Sequence, residues 1–176
     1  MIKKEPTISS EYKFNGFVFD LRVDTIEKKG GGQSTREIIE HNGGVAIIPV
    51  DDENNVYMVR QYRRGADEVL LELPAGKLEK GEEPYSCAVR ELEEETGFKA
   101  DKVTYLGFFY VSPAYDTEKI YIYLAQGLTP GEAHLDEEEE LEVEKHSLAA
   151  LVSDVRCGKI SDSKTAIGLM LAEKIL

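Results

Sequence analysis

Between Gly76 and Phe98 the chain reads GKLEKGEEPYSCAVRELEEETGF, and this stretch narrows the possible folds more than any other. Its second half is a helix by its punctuation. Pro84 suits the first helical position, where a missing N–H leaves no bond unmade, and Gly97 suits the residue just past the end. Glu91, Glu94 and Glu95 fall at i, i+3 and i+4, so three carboxylates share one face. Ala88 and Leu92, four apart, mark the opposite, core-facing stripe. Such a helix works against itself. Like charges at this spacing each cost about 0.2–0.5 kcal/mol, and negative charge near a helix C-terminus opposes the macrodipole. The conflict calls for a cation at this face. Clustered carboxylate oxygens without thiolate or imidazole select a hard divalent ion, magnesium first and manganese second, over zinc. A run of glutamates is ordinarily a solvated face. Against that stand the specified positions Gly76, Glu82, Arg90, Glu91, Leu92, Glu94, Glu95, Gly97 and Phe98, whose coincidence is a chance event on the order of one in a million.

Charge limits what else the chain binds. Its net charge is −13, from 34 acidic against 21 basic residues, which argues against nucleic acid or an anionic membrane as partner, since both need an electropositive footprint. An anionic substrate then has to be met by local arginines and metal. At 176 residues, 41% hydrophobic and 31% charged, the chain is one domain's worth and long enough to bury a core. Cys87 and Cys157 form no C-x-x-C pair and read as small buried hydrophobes in a reducing compartment. No apolar run approaches the roughly 18 residues of a membrane span, and the expected location is the cytoplasm.

In chain order, residues 1–15 carry no strong period. Phe17 to Ile26 alternates Phe17, Phe19, Leu21 and Val23 against polar neighbours, as a strand with one wet face does. Gly30 to Gly32 makes a hairpin connection, and Arg36 to Glu40 returns as its partner. Residues 1–42 are thus an N-terminal β layer that exposes alternate apolar side chains suited to a two-fold interface, and 43–176 hold the main domain. GVAIIPV, from Gly44, reads as a buried central strand that forms a hairpin with Val56 to Tyr62 across the Asp51–Asn55 turn. Arg60, Arg63 and Arg64 concentrate positive charge just upstream of the glutamate helix. For Arg60 and Arg64, solvated strand ends are as good a reading as function. Val69 to Leu73 is a short strand, Pro74 to Gly76 a turn, and Val103 to Val111 and Ile120 to Ala125 further strands. Asp136 to Glu140 reads, on the bare sequence, as a solvated loop. Ser147 and Ser161 open two final helices with core-facing stripes. The sum is an α+β domain with a mixed sheet sandwiched by helices. His41, His134 and His146 match no zinc spacing, and neither a Ser/His/Asp set nor a phosphate-binding G-x-x-x-x-G-K-[ST] loop is present.

The stretch 76–98 matches, at each specified position, the signature of the Nudix hydrolase family. LELPAGKLEKGE before the helix, SPAYDTE after it and GKISDSKTA near the end resemble the branch that cleaves ADP-ribose and related nucleotide sugars. The resemblance implies a Nudix-type α/β/α sandwich and a homodimer built on the N-terminal layer. It implies Mg2+, or Mn2+ in its place, on Glu91, Glu95 and the carbonyl of Ala75. Glu94 joins the catalytic set as a ligand to a further ion or a supporting carboxylate. Gly76, Glu82, Arg90 and Gly97 hold the loop against the helix. Arg63 falls where the branch carries a phosphate-contacting arginine. Phe17 and Arg36 fall where side chains are lent to the partner's adenosine pocket, and Ser112, Pro113 and Glu118 fall in the segment facing the substrate. Ala114 departs from the branch's usual glycine. A mobile acidic loop of the branch aligns Glu137 with the general base and Glu139 with an additional metal, with Glu138 the alternative for either role. The implied reaction is hydrolysis of a small-molecule nucleoside diphosphate to a nucleoside monophosphate and a sugar phosphate. Alternatives are hydrolysis of nucleoside triphosphates, oxidised ones included, or of an RNA cap, and a module that senses a nucleotide without turning it over. The acidic charge disfavours the cap, and an intact glutamate set argues against the sensor.

Overall fold

The computed structural model describes residues 3–135 and 140–176. The chain divides into two compact units, residues 1–43 with 109–119, and residues 44–108 with 120–176. In the first unit three strands, β1 (Thr7–Asn15), β2 (Phe19–Glu27) and β3 (Gln33–His41), form an antiparallel sheet in the order β1-β2-β3. β1 falls where no strong period was expected, although Ile8, Tyr12 and Phe14 do recur there at even spacing; all nine residues are exposed. The alternation expected from Phe17 is also shifted. Phe17 precedes β2 and is fully exposed, and the buried positions of β2 are Asp24 and Ile26. Asp24 is satisfied by Arg22 at 2.8 Å and by the Ser10 hydroxyl at 2.6 Å, and the Arg22 guanidinium holds its carboxyl below the usual carboxylate range. The connection 109–119 joins this unit through Ile39, whose N–H donates to the Tyr115 carbonyl at 2.7 Å and whose carbonyl accepts from Thr117 N–H at 3.0 Å.

The second unit begins with β4 (Gly44–Pro49), buried at every position. It then runs through β5 (Asn55–Arg63), β6 (Glu68–Glu72), β7 (Ala75–Lys77), α1 (Pro84–Thr96), β8 (Phe98–Tyr110), β9 (Lys119–Pro130), β10 (Leu141–Ser147), α2 (Leu148–Arg156) and α3 (Ser163–Ile175). A mixed sheet has the order β7-β4-β9-β8, with β4 parallel to β9 and antiparallel to β7. A second, antiparallel sheet has the order β10-β5-β6. The side-chain period of two sorts β4 between two cores. Ala46 and Ile48 pack with Leu151, Val152 and Leu169 of α2 and α3, while Val45 and Ile47 pack with Cys87, Ala88 and Leu92 of α1. That two-sided burial explains the continuous apolar run and makes the fold an α+β sandwich of helices around a mixed sheet.

Four local expectations need correction. β4 and β5 do not form a hairpin: a single Val50–Val56 bridge joins them, and each enters a different sheet. Residues 75–77 are a strand rather than part of a turn, because Ala75 and Gly76 pair with Ala46 and Val45. The cap of α3 is Asp162, one residue beyond Ser161, and it accepts from Thr165 N–H at 2.9 Å. Cys157 is exposed, at the C-terminal cap of α2, although Cys87 is buried. Among the described residues no helix is long and apolar enough to cross a membrane.

Candidate active site

Helix α1 starts after Glu83, which is extended and makes no side-chain cap, with Pro84 at its first turn. It ends at Gly97, whose φ of 72° is left-handed and whose N–H donates to the Glu93 carbonyl at 2.9 Å, a conformation glycine adopts without steric cost. The apolar stripe Cys87, Ala88 and Leu92 is wholly buried. Burial pushes the Cys87 thiol up to about 12, so it is inert as a nucleophile near neutral pH.

The carboxylates of α1 do not share one environment. Glu91 and Glu95 are 8% and 1% exposed, and both address β7. A Cβ built on Gly76 would stand 1.8 Å from Glu91 Oε1, so the carboxylate occupies space that only glycine leaves open. Glu95 Oε2 accepts from Ala75 N–H at 3.0 Å. The register fixes where the Ala75 carbonyl goes. Ile47 N–H donates to the Pro74 carbonyl at 2.9 Å, which makes 47 and 74 a hydrogen-bonded pair, so the adjacent pair of Ala46 and Ala75 is of the non-hydrogen-bonded kind. The N–H and C=O of Ala75 therefore both point away from β4, toward the side where Glu95 lies. Glu94, with 36% of its side chain exposed, instead borders a groove of about 590 Å³ along α1 that also touches Tyr85, Val89, Arg90 and His134.

Arg90 ties these groups together. Its Nε and Nη2 donate to Glu82 at 3.1 and 3.2 Å, and its Nη1 donates to Glu91 and Glu94, both at 2.7 Å. Glu82 also accepts from Glu79 N–H at 3.0 Å, which closes the turn before the helix. The pairing with Arg90 lowers the Glu82 carboxyl, and the pairing with Glu82 raises the guanidinium further.

Two buried carboxylates and one backbone oxygen, all hard donors facing the same short strand, fit a divalent cation of the magnesium type. Among the described residues, no three acidic, histidine or cysteine side chains are grouped as a complete metal cage. Glu137 and Glu139 lie outside the described residues.

Of the upstream arginines, Arg63 places Nε and Nη2 on the two oxygens of Glu72 at 2.9 and 2.8 Å. Arg60 forks onto Glu144, and Arg64 donates to the Tyr62 hydroxyl at 3.2 Å. In the N-terminal unit, Arg36 pairs with Glu5 at 2.6 and 3.0 Å. The Ser112 carbonyl accepts from Tyr115 and Asp116 N–H, Pro113 is exposed, and a Glu118 oxygen lies 3.5 Å from His41 Nδ1. The structure therefore gathers Ala75, Gly76, Glu82, Arg90, Glu91 and Glu95 at α1 and β7, with Glu94 on the adjoining groove. Glu72 and Lys164, which meet in this unit, were not singled out by sequence. Both stand in segments quoted above, ELPAGK and SDSKT, but no periodicity links positions 92 residues apart.

An α+β domain whose central helix turns buried glutamates toward a glycine-containing strand has the arrangement expected of a metal-assisted hydrolase. The NUDIX domain family matches residues 40–163, and the chain belongs to that family. Over 168 residues it is 43% identical to a Bacillus subtilis protein named ADP-ribose pyrophosphatase, covering 94% of this chain and 91% of that one. Over the same length it is 42% identical to a Bacillus methanolicus protein named methanol dehydrogenase activator, with the same coverage. A solved structure described as an ADP compounds hydrolase superposes with a TM-score of 0.87 at 26% identity, covering all of this chain and 96% of the other. Nudix hydrolases generally use divalent metal ions.

Proposed function

We propose that this protein is a magnesium-dependent diphosphatase of ADP-ribose or a related nucleoside diphosphate sugar. The observation that carries the reading is the fit of Glu91 and Glu95 against Ala75 and Gly76, a buried oxygen donor set of the kind diphosphate hydrolysis needs. The similarity to a protein named ADP-ribose pyrophosphatase over 94% of the chain narrows the substrate class. Glu91, Glu95 and the Ala75 carbonyl would hold magnesium, or manganese in its place, which would supply charge neutralisation at the diphosphate and make a water there more acidic. Arg90 fixes Glu91 and Glu94, and Glu94 supports a further ion or the ligands themselves. Arg63 meets a phosphate oxygen. Water adds to phosphorus as the bridging P–O bond breaks, its proton passes to Glu137, and a nucleoside monophosphate and a sugar phosphate leave; Glu139 contributes to the metal set.

The functional unit in this reading is a homodimer. Ile8, Tyr12, Phe14, Phe17 and Phe19 of the N-terminal unit are 41–100% exposed, an apolar surface that a second copy covers. Phe17 and Arg36 then serve the partner's nucleoside pocket, and Ser112, Pro113 and Glu118 contact substrate. The free thiols and nucleotide substrates suit a cytoplasmic setting. The test is kcat/KM with magnesium across ADP-ribose, other nucleoside diphosphate sugars and nucleoside triphosphates. The diphosphate sugars are expected to be preferred. A triphosphate preference would overturn the substrate class, and binding without turnover would make the protein a sensor.

A further inference from the structure

The strand end that carries the Ala75 carbonyl is pinned residue by residue, and the outermost pin is a buried charge. Glu72 is 1% exposed. Its carboxylate takes the Nε–Nη2 fork of Arg63 on one side and the Lys164 ammonium on the other. Next along, Leu73 N–H donates to Thr165 Oγ1 at 2.9 Å, the Pro74 carbonyl accepts from Ile47, and Ala75 N–H donates to Glu95. Lys164 and Thr165 belong to the first turn of α3, whose cap Asp162 accepts from both Thr165 N–H and Thr165 Oγ1 and lies 3.1 Å from Lys164 Nζ. α3 approaches this strand so closely that a Cβ on Gly168 would stand 2.5 Å from Leu73 Cδ1.

Stability alone is a poor reason for such a cluster, because a buried ion pair can often be replaced by apolar side chains of similar volume at no loss. Its geometry offers a better one. The fork uses only the Nε–Nη2 edge of Arg63, and the Nη1 end binds no other described residue. The Arg63 side chain is 37% exposed and feels the charge of Glu95 on the metal helix. A guanidinium is planar, so holding one edge sets the direction of the other.

We infer that Glu72, locked from behind by Lys164, is a positioning residue that aims the Nη1 edge of Arg63 at the substrate diphosphate. The inference rests on the diphosphatase reading and on Arg63 as its phosphate contact. It gives the α3 cap segment an indirect part in substrate binding, through Lys164, Glu72 and Arg63.

A double-mutant cycle tests it with the full chain, magnesium and ADP-ribose. Glu72→Gln should raise KM roughly tenfold or more, the scale of a charged hydrogen bond, with kcat within a few-fold. In an Arg63→Ala background the same change should add less than about threefold, because its effect passes through the missing arginine. A merely structural role would instead lower thermal stability and leave the two KM effects multiplicative. A KM within twofold of wild type in Glu72→Gln, or multiplicative effects, overturns the inference. Should Glu72→Gln not fold, Arg63→Lys keeps the charge without the fork and should show the same KM rise; an unchanged KM there overturns it equally. If the wild-type protein turns over no diphosphate sugar, the functional reading fails separately, and the cycle is read from the Kd of ADP-ribose by calorimetry with the same two outcomes.

Discussion

Gly76→Ala separates catalysis from folding more cleanly than any substitution at a glutamate. The alanine Cβ would stand 1.8 Å from Glu91 Oε1, 1.9 Å from Cδ and 2.5 Å from Oε2. Ordinary contact begins near 3.4 Å, so the carboxylate must retreat by about 1.6 Å. The obstacle is the far end of a flexible side chain, not backbone, and Gly76 sits in a strand where alanine is conformationally acceptable. Folding should therefore lose little. Weakening the 2.7 Å bond from Arg90 to Glu91 costs about 1.5–3 kcal/mol at most. The reduced freedom of the unfolded chain returns about 0.4–1 kcal/mol. The net loss of about 0.5–2.6 kcal/mol lowers Tm by about 1–10 °C for a chain of this size. Activity should lose far more, because a displacement above 1 Å takes Glu91 out of reach of a cation it would bind at about 2.0–2.1 Å, and misplacement on this scale costs about 10²-fold. The assays are a thermal melt and magnesium-dependent ADP-ribose hydrolysis on the same sample. A variant that melts a few degrees low yet keeps kcat within a few-fold of the parent would refute the assignment of Glu91 as a ligand.

Four more outcomes are expected. Chelation abolishes hydrolysis and added magnesium restores it, while Glu95→Gln lowers kcat by orders of magnitude with the fold intact, since the amide oxygen can still accept from Ala75 N–H; near-parental turnover removes Glu95 from the metal set. Glu137→Gln lowers kcat at least roughly 10²-fold, the low end for a general base, with KM little changed; kcat within a few-fold of the parent in each of Glu137→Gln, Glu138→Gln and Glu139→Gln returns that loop to a solvated surface. Light scattering at micromolar concentration gives a dimer, and a fully active monomer argues against the roles of Phe17 and Arg36. Arg60, and after it His146, hold the Glu144 carboxyl at about 2 against an ordinary 4.5; a carboxyl lowered in the folded state adds stability above about pH 4.5 that is lost as pH falls toward 2, so Glu144→Gln should flatten the decline of Tm across that window, and an unchanged slope refutes the pairing.

What the sequence made legible was local and periodic. Pro84, Gly97, Ala88 and Leu92 define α1 through rules that act within a few residues, and the structure keeps its start and stop. β4 was readable because burial on both faces leaves an unbroken apolar run. Its partner was not readable, since Asp51 to Asn55 turns the chain tightly in either case and only tertiary packing decides whether the flanking strands share a sheet. β7 was hidden for a related reason. Pro74 and Gly76 are turn residues by propensity, and the pairing that makes a strand of Ala75–Lys77 comes from β4, about 30 positions upstream. The buried network of Arg63, Glu72 and Lys164 spans a hundred residues and leaves no trace in any window.

The departures from good helix design are concentrated in α1, and that concentration is itself informative. The helix has no side-chain N-cap, no acid in its first turn and no base in its last, and it places Glu91, Glu94 and Glu95 toward the end where the dipole is negative. α2 and α3 show that this chain follows the ordinary rules elsewhere: Ser147 and Asp162 cap them, and Arg156 and Lys174 close them. α1 is held by packing, with Cys87, Ala88 and Leu92 buried against Val45 and Ile47, and by Arg90 gripping Glu82, Glu91 and Glu94 at once. Arg90 and Arg63 together offset only part of the negative charge here, since Arg90 also pairs with Glu82, while Arg63, which feels the charge of Glu95, pairs with Glu72. A divalent cation bound here would offset the remainder, so magnesium should raise the Tm of the wild-type protein with occupancy, and that increment should shrink in Glu95→Gln, where one of the two buried carboxylates has lost its charge.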